Sequence, residues 1–459
     1  RKAGEEKNPR PFRNRNQYGV KVSGPIWKDR VFFFAYAERL KDIVNGSRLI
    51  TVLTPTARQG IFRYTSGGNT YSANIFCPGC FTTGPSGVAP PTTVNAFTTS
   101  NVLANMPQGN SFETGDGLNT TGYRFFQKAN TDRDSLTGRL DYDINSQNNV
   151  NFVIDYNFEK NLRNDVDTLS VTPVVLQPAR NVIYSGGWRY SPTASISNEF
   201  RIGRFYSQPD FFRTDNLPAE FYVPTLVSSL TTFLQQGRTV KTINAQDTVS
   251  WLIGNHSLRI GAQYQHVDIS AYNDAGNRPS YNMGLSVNGP QLSSSTLAAA
   301  AGGPALTAAQ QTTARNLFAL FGGVLSSGAQ TFNVTSTSSG YVAGATNLRE
   351  FEFGMFAPYV VDQWKATSEL TLNFGLRWDY QTPLKSKNGL YWEPVIADGR
   401  DPVEAILDPS GSYQFIGGNA GKKNRFYKAD TNNWAPSFGV AWAPKEIKNK
   451  LITRTFLLF

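Results

Sequence analysis

A chain of 459 residues with 13% aromatic and 17% charged side chains and 40 glycines is long enough for two or three soluble domains or for one large all-β body. No run of 18 apolar residues occurs, so no segment reads as a membrane-crossing helix. The formal charge of +10 gathers in 1–48 and 421–459 and leaves the body between nearly neutral, without the basic, aromatic-interleaved surface that nucleic acid demands; no nucleic-acid partner is expected.

In chain order, the first predicted elements are strands at 18–26 and 31–40 around the turn Trp27-Lys28-Asp29-Arg30. A long polar segment, 41–134, follows and contains both cysteines, Cys77 and Cys80, in Cys-Pro-Gly-Cys. Redox chemistry at such a motif needs a strand before it and a helix after it. The flanks Asn-Ile-Phe and Phe-Thr-Thr-Gly supply neither, so a small disulfide stapling an exposed loop is the preferred reading, in an oxidising compartment.

The next pairs are 136–143 with 149–159, 183–190 with 195–207, 248–253 with 257–268, and 353–365 with 369–381, each joined by a short turn. Between pairs lie long segments at 160–181, 208–242, 269–350 and 382–433, and 307–320 reads as a short helix inside the third. A last strand is predicted at 434–442, for about eleven strands in all. Five connections this long are unusual in a compact soluble domain, whereas outer-membrane barrels alternate short periplasmic turns with long outer loops.

The strands carry two opposite faces. In 369–381, Leu370, Leu372, Phe374, Leu376, Trp378 and Tyr380 fall on one side of the pleat, and Thr371, Asn373, Gly375, Arg377, Asp379 and Gln381 on the other. The first set is expected to meet lipid. The same parity elsewhere assigns Arg139, Asp141, Asp155, Glu199, Arg201, Arg259, Arg377 and Asp379 to a wet lumen, with only Val153 breaking the polar row of its strand. Aromatics cluster near strand ends, as in interfacial belts. The fold class expected is therefore an all-β transmembrane antiparallel barrel with long extracellular loops and short periplasmic turns, embedded in outer-membrane lipid.

Little points to an enzyme. The two histidines, His256 and His266, lie ten apart on one hairpin arm with no local ligand spacing, and read as ordinary strand residues. Gly67-Gly68 and Gly302-Gly303 lack the lysine and helix of a phosphate cradle. No catalytic residue, metal or cofactor is expected.

Three stretches carry a resemblance: Asn16-Gln17-Tyr18-Gly19-Val20-Lys21-Val22-Ser23-Gly24-Pro25-Ile26 with Lys28-Asp29-Arg30-Val31-Phe32-Phe33-Phe34-Ala35-Tyr36-Ala37-Glu38; Asp362-Gln363-Trp364-Lys365-Ala366-Thr367 with Leu370 to Tyr380; and Asn433-Trp434-Ala435-Pro436-Ser437-Phe438-Gly439-Val440-Ala441-Trp442. Over about 8–443 the chain resembles Oar-like TonB-dependent outer-membrane receptors of Gram-negative bacteria. That resemblance implies a plugged barrel of about twenty-two strands. It further implies energy-coupled uptake of an unidentified extracellular ligand, with the TonB complex engaged through the plug. Residues 1–443 are expected to be part of such a barrel, with no plug before Arg1, and 444–459 an atypical tail, which makes the chain a fragment. A passive porin or adhesin barrel is the alternative, and a secreted polysaccharide-binding β-protein a third reading.

Overall fold

A computed structural model describes residues 11–215, 220–224, 226–228, 231, 233–396, 400–417 and 423–443, and the backbone of 457–458. Eleven long strands follow one another: β1 (Phe12–Trp27), β2 (Val31–Leu53), β3 (Thr131–Asn145), β4 (Asn148–Leu162), β5 (Val175–Thr193), β6 (Ile196–Arg213), β7 (Gln236–Ile253), β8 (His256–Asn273), β9 (Asn347–Lys365), β10 (Leu370–Trp378) and β11 (Trp434–Trp442). Each pairs antiparallel with its sequence neighbour, so the sheet is an up-and-down meander without crossovers. Among the described residues β1 is paired on one side only, while Leu457–Leu458 pairs with β11 at Gly439 and Val440. The tail expectation otherwise lies outside the described residues, as do residues 1–10.

The strands outrun the sequence-based expectation. β2 holds 23 residues, and β6, β7 and β8 hold 18 each. The signal used to find them was apolar alternation, which stops where lipid stops. Beyond that level Asp42, Lys160, Gln208, Lys241 and Asp268 keep the ladder going with polar side chains, because backbone pairing needs no particular residue type. At ~3.3 Å per residue and a tilt near 45°, a strand of 18 residues still stands roughly 40 Å high, against an apolar band of about 25 Å. In the other direction, the segment predicted as one strand to Gln381 breaks at Asp379, whose N–H donates to Asn433 O at 3.0 Å; Tyr380–Gln381 then resumes pairing with β9.

Short turns close the other end. Gly254-Asn255 joins β7 to β8 with Gly254 at φ 57°, a left-handed conformation that glycine adopts freely, and Asp29 takes φ 64° between β1 and β2. Within the wall, a Cβ on Gly261 would stand 2.7 Å from the Tyr359 hydroxyl, so glycine there makes room for the ring that bonds Thr248 at 2.9 Å.

The long connections are not plain polar loops. They hold most of the largest buried cluster of the described residues: Phe62, Tyr64 and Ile75 from the segment after β2, and Leu297, Leu317, Phe318 and Phe321 from the segment after β8, joined by Leu53 at the end of β2. Two helices contribute, α1 (Ser294–Ala300) and α2 (Ala308–Gly322), the second at the place predicted. Thr307 caps α2 by accepting from Gln310 N while the Gln310 side chain accepts from Thr307 N, and Gly323 ends it at φ 64°. The Phe81 and Phe318 rings stack at 3.6 Å, and Tyr64 Oη donates to Pro304 O at 2.9 Å across 240 residues of sequence. This cap forms because segments too short to bury a core alone pool their apolar side chains.

Candidate functional site

Register carries side-chain parity from strand to strand, since directly opposed residues share a face. Val249, Ile260, Val360, Leu376 and Pro436 form one row across five strands. Leu372 and Phe374 lie in rows with Val440 and Phe438, and the Phe374 and Phe438 rings stand 5.4 Å apart. Leu370 pairs with Trp442, Trp378 with Trp434, and Tyr380 with Phe356. All six residues expected to meet lipid thus share one face, on which Leu140, Phe152, Ile202, Ile260 and Phe374 are exposed to more than 40%.

Two carboxylates interrupt that apolar face. Asp247 lies in the row Phe200, Asp247, Ala262, Pro358, midway along the apolar stretch of β7, and its Oδ1 accepts from Asn198 Nδ2 at 2.7 Å. Asp362 lies between Leu258 and Phe374 near the short-turn end, 2.7 Å from His256 Nδ1, with the His256 ring stacked on Trp364. Asp247 was not visible as an exception in the sequence, because β7 was predicted from its last six residues alone; Asp362 stands inside the predicted strand 353–365, in the parity row of Phe356, Val360 and Trp364.

The opposite face collects the expected lumen charges. Arg139 lies in the row of Phe34 and Val153, Asp141 in that of Phe32 and Asn151, Asp155 beside Thr137 and Ile183. Glu199 lies opposite Arg189 and Thr248, Arg201 opposite Gly187 and Gln246, Arg259 opposite Ser250 and Val361, and Arg377 opposite Tyr359. Arg139 binds Asp141 at 2.7 Å, Arg377 binds Asp379 at 2.9 Å, and Arg201 binds Glu199, each pair two residues apart in sequence. Asp155 accepts from Thr137 Oγ1 at 3.0 Å, and Arg259 has no ion pair among the described residues. A larger knot missed by the sequence sits on β1, β2 and β3: Glu38 accepts from Tyr36 Oη at 2.5 Å and from Gln17 at 2.9 Å, with Arg133 at 3.5 Å. Its members come from three strands, so no local spacing announces them.

In the cap, Cys77 and Cys80 are joined in a disulfide. Burial would raise the Asp116 carboxyl, but hydrogen bonds from Thr120, Asn119 and Leu118 outweigh it and hold the group below its usual range. Glu220 is the reverse: burial pushes its carboxyl up against the weaker pull of Arg213 and Arg278. His266, Asp268 and Glu352 bring one ligand atom each within 4.8 Å at the outer end of β8 and β9. The sequence expectation of no local metal spacing missed this group because Glu352 arrives from another strand. Lys387 already binds Asp268 and Lys385 binds Glu352, at 2.5 and 2.6 Å, which satisfies both carboxylates with lysine.

A meander whose one face is apolar over a bilayer's span, and whose other face holds paired charges, is the wall of a transmembrane β-barrel. The family model for the outer membrane beta barrel domain matches residues 2–455, and the chain belongs to that family. Its place is the outer membrane of a Gram-negative bacterium, in contact with outer-membrane lipid. No curated protein matches the sequence. Among solved structures, the outer membrane transporter YddB from Escherichia coli is similar at TM-score 0.39 and 8% identity, over 82% of this chain and 35% of that one. A ferric enterobactin receptor (PfeA) mutant from Pseudomonas aeruginosa gives 0.33 and 11%, over 97% and 43%. The copper transporter OprC gives 0.34 and 8%, over 95% and 43%. The chain therefore spans less than half the length of these three, and the family rests on the match over 2–455 alone.

Proposed function

We propose that the chain is barrel wall from an outer-membrane receptor that takes up a ligand by energy coupling, through a plug, to the TonB complex of the inner membrane. Support comes from the Oar-like stretches around Asn16–Glu38 and Asn433–Trp442, and above all from the cap. A passive pore needs only short lips, whereas this chain spends a cystine, two helices and a buried cluster on its outer segments. Folded loops hold side chains in fixed positions, which is what selective capture requires. The paired charges on the opposite face would then face a plug or water.

Planar bilayers containing the full-length protein that bears this chain should show no steady conductance, and cross-linking in cells should recover the TonB protein with it. A constant ohmic pore would assign the protein to passive diffusion instead and remove the energy-coupled reading.

A further inference from the structure

Three outer segments converge between the end of β2 and the cap, and a cavity of about 460 Å³ opens there. Its walls are mostly apolar: Ile50 and Val52 from β2, Phe97 and Met106 from the segment after it, Leu169 from the segment after β4, and Phe221 from the segment after β6. The volume is in the usual range for small-molecule sites.

One wall residue does not belong in such company. Glu220 is only 5% exposed, lines the cavity, and its Oε1 has no hydrogen-bond partner among the described residues. The backbone fixes it, because Glu220–Tyr222 pairs with Ser280–Asn282 and Glu220 N donates to Pro279 O at 2.9 Å. Neighbouring cations are otherwise engaged: Arg213 grips Asp215 through two hydrogen bonds of 2.7 and 2.6 Å, and Arg278 has an interaction of its own. A desolvated carboxyl oxygen without a donor is costly and rare in folded proteins, and it marks the spot where a donor would be most rewarded.

We propose that this cavity binds a small, largely apolar molecule carrying one amine, whose N–H donates to Glu220 Oε1. The assignment deepens the receptor reading, since it rests on the cap being the ligand-facing side, and it names the ligand's chemistry.

The test uses the full-length protein that bears this chain, reconstituted in lipid nanodiscs, with folding checked by heat-modifiable gel migration, and 1-naphthylmethylamine as probe against the neutral 1-naphthylmethanol. Saturable binding of the amine is expected, about tenfold or more tighter than the alcohol. Glu220→Gln should erase that preference while leaving the alcohol's affinity within about twofold, and Leu169→Trp, which fills the apolar wall, should abolish both. Equal binding of the two probes, an unchanged preference in Glu220→Gln, or saturable binding that survives Leu169→Trp each overturns the site. Conductance and TonB cross-linking are separate readouts, so loss of the energy-coupled reading with amine selectivity intact leaves the cavity assigned, and the reverse result removes the cavity alone.

Discussion

Asp247 illustrates how much one side chain costs on the wrong face. A carboxyl exposed to hydrocarbon has only Asn198 for company, and intramembrane ionisable groups are expensive wherever they occur. Asp247→Leu is expected to raise the unfolding free energy of the lipid-embedded protein by about 1–2 kcal/mol, read as a higher urea midpoint at unchanged slope; a lower midpoint would mean that Asp247 is not facing acyl chains. Glu220 gives the matching pH dependence in the cap. Its folded pKa is raised, so the penalty of burying the charge is present above the folded pKa, and stability is regained as pH falls through that value, fully below about the unfolded pKa of 4.5. Asp116, held low, acts in the opposite sense and loses its contribution only at more acid pH. Proteolysis of the cap should therefore slow between neutral pH and about pH 5, and Glu220→Gln should be slower at neutral pH and flat across that window. Neither exception could be read from the sequence: Asp247 stood just outside the predicted strand 248–253, and Glu220 in a polar connection, so nothing local marked one as lipid-facing and the other as buried.

At the level of elements, the wall was legible where lipid imposes a period of two, as in Leu370–Trp378, and illegible where it does not, as in Gln236–Thr242. Backbone amides of the outer half of β2, paired with Thr120–Lys128 beyond Asp42, should exchange with deuterium as slowly as those at 31–41; fast exchange there would confine the ladder to the predicted 31–40. The helix α2 was legible because its cap chemistry is local. Thr307→Ala removes the side-chain acceptor of the capping box while keeping the Thr307 N–H bond to Gln310 and should cost the cap about 1 kcal/mol, visible as a lower cap melting temperature with the barrel's transition unmoved. The cap's core was missed for a different reason: Phe62, Leu297 and Phe318 sit in segments with no shared period, and only the barrel's topology brings them together.

For the whole molecule, the claim that matters is the assignment of faces. Spin labels at Phe374 and Leu376 should be reached by oxygen dissolved in lipid, and labels at Asn373 and Gly375 by a water-soluble nickel chelate. Equal accessibility of the two pairs to both reagents would remove the bilayer from the account, whatever the family. The fold class, the hairpin order and the strand total near eleven could all be read beforehand, since each follows from alternation and turn spacing; the cavity could not, because its lining is drawn from β2 and three separate connections.

The cap's cluster joins side chains as far apart in sequence as Tyr64 and the Pro304 turn, and such closure is entropically affordable only after the intervening strands are zipped. It should consequently mature last and, by the same reasoning, loosen first, as one cooperative unit. Hydrogen exchange would then register a collective opening of 54–119 and 274–346 at a free energy well under that of the wall, giving the surface a hinge-free way to admit a guest while the membrane seal stays shut.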